Sequence, residues 1–262
     1  MIKAKKSLGQ NFLIDKDIID QITKIVKIEN KNILEVGPGT GNLTSAILEK
    51  KPYKLTVIEK DEELVNFLKK KFSKQIQIIN KDILDINENF LAKDTFTVFG
   101  NLPYNISTEI LTKWILNLEI KDLWFDYLVL MFQKEVADRI VSEYNSKNYG
   151  RLTILTNWKL DVKKIIDVKP TSFSPRPKIE SSVILFKPKN KFFKLNSSKS
   201  LEKITRIFFM HRRKMIRKPY NKLFNGDKSI SSKHNIDLNL RPQNLSFDTY
   251  YKLAYEYEKL NN

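Results

Sequence analysis

The chain has 262 residues, 41% of them hydrophobic and 11% aromatic, and no cysteine; this composition is that of a folded chain with a sizeable core and excludes a disulfide scaffold, a Cys-ligated zinc site and a thiol nucleophile. Its 47 Lys and Arg against 30 Asp and Glu give a net charge of +17, and residues 181–262 alone hold 18 basic and 6 acidic side chains, a local basic excess that points to a polyanion, either nucleic acid or an anionic membrane surface. No apolar run reaches the ~18 residues of a membrane span, and polar residues follow the basic N-terminus where a signal peptide turns apolar, so the chain is expected to be soluble and cytoplasmic; a monomer is expected, although the sequence does not give the oligomeric state.

Taken in order, the first strand is Asn32–Val36, followed by a helix over 42–50. A strand over 54–58 leads to a helix capped by Asp61, with Glu62 and Glu63 in its first turn and Lys69, Lys70 and Lys71 at its end. Further strands are expected at 76–79, 96–99, 127–132, 164–168 and 182–186, with helices around 106–118, 134–144 and 150–159. Strands alternating with helices imply an α/β fold with a mostly parallel sheet covered on both faces. The last two strands are joined by Pro-rich chain without a helical pattern, where the sheet is expected to turn antiparallel. Residues 1–188 read as one domain and the Lys- and Ser-rich stretch 189–200 as a linker. Helical patterns at 201–210, 214–224 and 246–260 make 201–262 a small, helical, basic domain.

Four strand ends carry the chemistry. Glu35-Val36-Gly37-Pro38-Gly39-Thr40-Gly41 follows the first strand and opens a helix. Its GxGxG spacing is neither the GxGxxG of dinucleotide binders nor a Walker loop, and by itself it fits a plain tight turn as well as a ligand site. Glu59 ends the second strand, 22 residues after Gly37, where a carboxylate can accept from both hydroxyls of a ribose. Asp82 ends the third, 23 residues further on, placed to accept from the exocyclic amine of an adenine. Together the three point to an adenosine-containing ligand, although each acid alone is more often an ordinary strand-end residue.

The fourth strand runs into Asn101-Leu102-Pro103-Tyr104. The N6 amine of adenine is a poor nucleophile because its lone pair is delocalised into the ring. If the Asn101 side-chain oxygen and the Leu102 carbonyl both accept its hydrogens, the nitrogen is drawn towards tetrahedral geometry with its lone pair aimed at an electrophile. Pro103 fixes the backbone and restrains Leu102 to an extended conformation, and Tyr104 offers a face to a base taken out of its helix. His211 and His234 are isolated, so no metal site is expected. Trp114, Trp124 and Trp158 read as packing residues. Lys3, Lys5 and Lys6 are either a solvated tail or an RNA-binding arm.

With these residues the sequence resembles the ribosomal RNA adenine N6,N6-dimethyltransferase family of the small subunit. The markers are SLGQNFL (7–13), EVGPGTG (35–41), VIEKD (57–61), the Asn80-Lys81-Asp82 turn, GNLPYNIST (100–108), QKEVA (133–137), PTSFSPRPK (170–178) and Arg212, Arg213 and Lys214 with Arg217. The resemblance implies a class I, Rossmann-like methyltransferase sheet with a small helical C-terminal domain, and S-adenosylmethionine as cofactor. It implies that Asn11 and Leu13 contact or cover the methionine end, that Gly37 lies beside methionine and ribose, and that Glu59 holds the ribose and Asp82 the adenine. Asn101 would be shared between cofactor and target, Leu102, Pro103 and Tyr104 would form the target-base site, and Phe173 would be a second aromatic jaw across from Tyr104. Arg212, Arg213, Lys214 and Arg217 would bind RNA. The implied activity is dimethylation of two adjacent adenosines in the 3′-terminal hairpin of 16S rRNA, with a role in assembly of the small ribosomal subunit. Three rivals stand beside it. They are a large-subunit (23S) methyltransferase of the macrolide-resistance type, a nicotinamide-dependent oxidoreductase, and a non-enzymatic assembly factor descended from a methyltransferase.

Overall fold

The computed structural model describes residues 4–5, 8–91, 94–119 and 123–261. In chain order its strands are β1 (Phe12–Leu13), β2 (Asn32–Val36), β3 (Lys54–Glu59), β4 (Gln77–Asn80), β5 (Phe96–Asn101), β6 (Phe125–Gln133), β7 (Leu160–Val168), β8 (Phe173–Ser174) and β9 (Ser181–Pro188). The helices are α1 (Lys16–Thr23), α2 (Asn42–Glu49), α3 (Glu62–Phe72), α4 (Glu88–Leu91), α5 (Ser107–Asn117), α6 (Lys134–Ile140), α7 (Arg151–Lys159), α8 (Ser198–Phe209), α9 (Arg217–Phe224), α10 (Lys228–Lys233) and α11 (Phe247–Asn261).

β2 and β3 are buried along nearly their whole length, as strands must be when both faces of a parallel sheet are covered. The seven-stranded sheet has the order β4-β3-β2-β5-β6-β9-β7. The first five are parallel, with Val36 opposite both Ile58 and Gly100, Glu59 opposite Asn80, and Asn101 opposite Met131. β9 runs antiparallel to β6. The chain leaves β2 towards β3 on one side and later returns to β5 on the other. The crevice outside the carboxyl ends of such neighbours is where open α/β sheets bind ligands. A separate two-stranded ribbon pairs β1 with β8, Leu13 lying opposite Phe173.

The chain divides into two compact units, one comprising 1–114, 118–137 and 162–188, the other 115–117, 138–161 and 189–262. The reading of 1–188 as a single block is corrected by α7, whose Ile154, Leu155 and Trp158 belong to the second unit's core with Leu201, Ile204, Phe208 and Tyr250. The stretch 189–200 is not a free linker. Phe192, Phe193 and Leu195 pack on that core, and the Trp158 indole N–H donates to the Phe193 carbonyl at 2.7 Å.

Two helices are shorter than expected. α6 stops at Ile140 because turn-forming residues follow, among them Asn145 in the left-handed region. α9 starts at Arg217, leaving 211–214 in a turn, because Pro219 is tolerated only in a helix's first turn. Trp114, Trp124 and Trp158 are all buried, the first two edge to face at 5.2 Å.

Gly41 caps α2 at φ +73°, and a Cβ there would lie 2.5 Å from the Phe72 ring. Gly41→Ala therefore combines a left-handed strain with overpacking, and is expected to lower stability by about 1–4 kcal/mol, read from the midpoint of urea unfolding.

Candidate active site

A cavity of about 220 Å³ opens where β2, β3, β4 and β5 end. Its walls come from residues 35–40, 58–60, 81–83 and 101–106, completed by the segment 8–13. Of the residues singled out in the sequence, Asn11, Leu13, Gly37, Glu59, Asp82, Asn101, Leu102, Pro103 and Tyr104 all line it. Gly37 sits at φ +70°, and a side chain there would meet only the Asn101 carbonyl, at 3.5 Å; its bare backbone is a place where a ligand can come close.

Glu59 is 7% exposed. Its Oε1 accepts the Asp61 backbone N–H at 2.9 Å and its Oε2 the Gly39 N–H at 3.4 Å. Burial pushes its carboxyl upward and these two donors oppose the shift. The Asp82 Oδ2 pairs with Lys60 Nζ at 2.6 Å, while Oδ1 accepts the Leu84 N–H at 3.0 Å. Burial alone would raise this acid, but Lys60 and the Leu84 N–H hold it below the usual carboxylate range.

At the end of β5, Asn101 Nδ2 donates to the Asn11 carbonyl at 2.8 Å, which fixes which way its amide faces. Its Oδ1 and the Leu102 carbonyl have no donor among the described residues. The Tyr104 hydroxyl is bonded to Ser181 Oγ at 2.5 Å. Two acceptors without a donor among the described residues, beside an aromatic ring, can accept both hydrogens of an amine.

Phe173 is not brought to this cavity. It is 3% exposed, held in β8 opposite Leu13 and packed in the core with Ile19, Leu43 and Val183, so the expected jaw across from Tyr104 is corrected to a packing residue in this structure. The basic set also divides. Arg212 is turned inward, bonded to Gln243 Oε1 at 3.2 Å and to the Lys147 carbonyl, whereas Arg213, Lys214 and Arg217 are exposed. Arg217 reaches Asn239 at 2.6 Å. Lys3 and Lys6 lie outside the described residues. Lys5 is neither a tail nor an arm, since its Nζ pairs with Asp61 at 2.6 Å. Among the described residues no group of three or more His, Cys, Asp or Glu could hold a metal ion, and no helix is long and apolar enough to cross a membrane.

The model of the ribosomal RNA adenine dimethylase family matches residues 1–259. The chain belongs to this family. A relative from Pelagibacter ubique, ribosomal RNA small subunit methyltransferase A, is 62% identical over 99% of this chain and 98% of its own length. A protein of the same description from Ehrlichia ruminantium is 44% identical, covering 97% of each chain. Among solved structures, a dimethyladenosine transferase from Plasmodium falciparum superposes with a TM-score of 0.79 at 27% identity, covering 95% of this chain and 98% of that one. The 23S rRNA methyltransferase ErmE matches with a TM-score of 0.69 at 21% identity over 96% of this chain and 100% of its own, a likeness of fold alone. The architecture is thus the class I methyltransferase sheet with an additional helical unit.

The sequence motifs of this family member gave Glu35 no role of its own, yet it lines the cavity, fully enclosed, its Oε2 accepting from Thr44 Oγ1 at 2.6 Å. Burial pushes its carboxyl up from 4.5 to about 7, with Glu59 adding to the rise. In the unfolded chain this acid loses its proton near pH 4.5, while in the folded protein it keeps it until about pH 7, so folding stability falls as pH rises through that window and then levels. Glu35→Gln should remove this loss, which is at most about 3 kcal/mol. The check is a set of urea unfolding curves from pH 4.5 to 8; equal slopes of stability against pH for both proteins would count against it.

Proposed function

We propose that the protein is an S-adenosylmethionine-dependent 16S rRNA adenine N6,N6-dimethyltransferase. It acts on two adjacent adenosines of the 3′-terminal hairpin, in an assembling small ribosomal subunit in the cytoplasm. The observation that carries the reading is the pair of acceptors at the end of β5 that have no donor among the described residues, Asn101 Oδ1 and the Leu102 carbonyl, beside the Tyr104 ring. Small-subunit relatives at 62% and 44% identity favour this target over 23S rRNA.

The cavity suits the cofactor. The open backbone at Gly37 leaves room for a close ligand, and Glu59 keeps a lone pair on each oxygen beside its backbone donors, as two ribose hydroxyls require. The buried Glu59 carboxyl, held by two backbone donors, suits a ligand that carries positive charge. When bound, S-adenosylmethionine supplies a methyl group on a positively charged sulfur that leaves as a neutral thioether. Asn11, Leu13 and Gly37 would hold its methionine end, Glu59 its ribose and Asp82 its adenine. The protein's part is positioning. Asn101 Oδ1 and the Leu102 carbonyl accept the two hydrogens of the target amine and turn its lone pair inward, while Tyr104 stacks on the flipped base. Arg213, Lys214 and Arg217, exposed on the second unit, supply phosphate contacts.

Two measurements test this. Glu59→Ala should weaken cofactor binding by about 1.5–3 kcal/mol, the usual loss for hydrogen bonds to a charge. Asn101→Ala should instead slow methyl transfer by orders of magnitude while binding to the small-subunit particle hardly changes. Calorimetry and single-turnover mass spectrometry of dimethyladenosine separate the two, and an Asn101→Ala enzyme with the normal rate would remove the β5 tetrad from the chemistry. Affinity for the particle should also fall steeply with salt, and replacing Arg213 and Lys214 by Ala should flatten the log–log slope by about 0.7–0.9 for each phosphate that is no longer neutralised.

A further inference from the structure

The segment 8–13 is tied down by side-chain hydrogen bonds at three points, at Gln10, Asn11 and Leu13. The first of these ties ends on Asp61, only 5% exposed. Its Oδ1 accepts from Lys5 Nζ at 2.6 Å and from the Glu63 N–H at 3.1 Å, and its Oδ2 accepts from Gln10 Nε2 at 3.1 Å. Gln10 Oε1 in turn accepts the Lys5 backbone N–H at 2.8 Å. Both ends of the Gln10 amide are therefore engaged, and it cannot turn over without setting donor against donor. The next residue, Asn11, presents its carbonyl to Asn101 Nδ2 at 2.8 Å, and the Leu13 carbonyl accepts from Asn42 Nδ2 at 2.8 Å.

An asparagine amide has nearly the same shape in its two orientations, so its shape alone cannot choose between them. At Asn101 the choice decides the chemistry. One orientation offers Oδ1 to the target amine; the other offers an NH₂ group to the amine's hydrogens. Among the described residues the Asn11 carbonyl is the group that receives Nδ2. That carbonyl is in place only while the segment is seated: the β1–β8 pairing and the Asn42 bond hold it from Phe12 onward, and Gln10 on Asp61 is the side-chain bond that holds it on the other side of Asn11. The Lys5 bond contributes less, because the lysine side chain is 42% exposed and its charge is screened by water.

We propose that Gln10 and Asp61 are positioning residues for methyl transfer, latching the segment 8–13 so that the Asn11 carbonyl orients the Asn101 amide. The inference rests on the methyltransferase reading above for its rate prediction, and on the geometry alone for its spectroscopic one. Asp61 also donates its backbone N–H to Glu59, so the latch is anchored on the same turn that presents the ribose-binding carboxylate.

The test exchanges donor and acceptor. Asp61→Asn keeps an oxygen for the α3 cap and turns an NH₂ towards the Gln10 NH₂. Gln10→Glu sets a carboxylate against the Asp61 carboxylate. Each change alone is isosteric and breaks the latch. Made together they restore it with the roles reversed, the position-61 amide donating to the position-10 carboxylate, which still accepts from Lys5 N–H. Two readouts are taken on the full chain. The first is the Asn101 side-chain NH₂ resonance in ¹⁵N-labelled protein, assigned by its loss in Asn101→Ala. The second is the single-turnover rate of dimethyladenosine formation on small subunits.

The expected result is faster hydrogen exchange at the Asn101 NH₂ and a rate about tenfold lower in each single variant, with recovery of exchange and rate in the double variant. Single variants that leave the Asn101 signal unchanged, or a double variant no better than either single one, would overturn the latch. If wild-type protein made no dimethyladenosine on small subunits, the functional reading would fall, while the Asn101 signal across the same four proteins would still decide whether the latch orients the amide.

Discussion

Glu59 puts a carboxylate at the end of a parallel strand that is buried on both faces, where an unsatisfied charge is far more costly than in water. The backbone supplies the remedy. One N–H comes from Gly39 in the glycine turn after β2, and another from Asp61 at the start of α3. A single acid thus draws together the turn that follows one strand and the helix that follows the next. The remainder of the site builds outward from that junction, with Asp82 on one side through Lys60 and Asn101 on the other across β2. The cavity exists because four neighbouring strands end at one level, and its character is set by which polar atoms at those ends still have capacity to bond.

Much of this was legible in the sequence, for identifiable reasons. Buried parallel strands must be apolar throughout, so β2, β3 and β5 stood out as short runs of Val, Ile, Leu and Phe. Strand ends in such folds are where ligands sit, so Glu59, Asp82 and Asn101 could be placed without knowing how the strands are ordered. All nine residues assigned to the cofactor and to the β5 tetrad reach one cavity, because each lies within a few residues of a strand end or in the segment that closes the wall.

What the sequence did not disclose depends on long-range partners. Gln10 looks like any polar residue in a motif until Asp61, some fifty positions later, is seen to accept from it. Phe173 lies in a conspicuous Pro-rich motif, yet pairing of β8 with β1 takes its ring into the core. Arg212 and Arg213 are neighbours of identical type, and only the fold separates one bound to Gln243 and the Lys147 carbonyl from one facing solvent. Residues 189–200 have the composition of a linker, but their aromatic side chains find a hydrophobic surface built largely from chain far away in sequence. Composition reports what a segment can do in isolation, and these segments are never in isolation.

The bond between the Tyr104 hydroxyl and Ser181 ties the tip of the aromatic ring to the first residue of β9. A ring fastened at both its backbone and its far end has little rotational freedom left to lose when something stacks on it, and immobilised side chains are a principal cost of forming any interface. The ring is therefore a fixed anvil at the cavity wall. If it takes the target base as proposed, nearly all of the motion and ordering of capture falls on the RNA strand, and the ease with which a given nucleotide leaves its neighbours becomes part of how it is chosen.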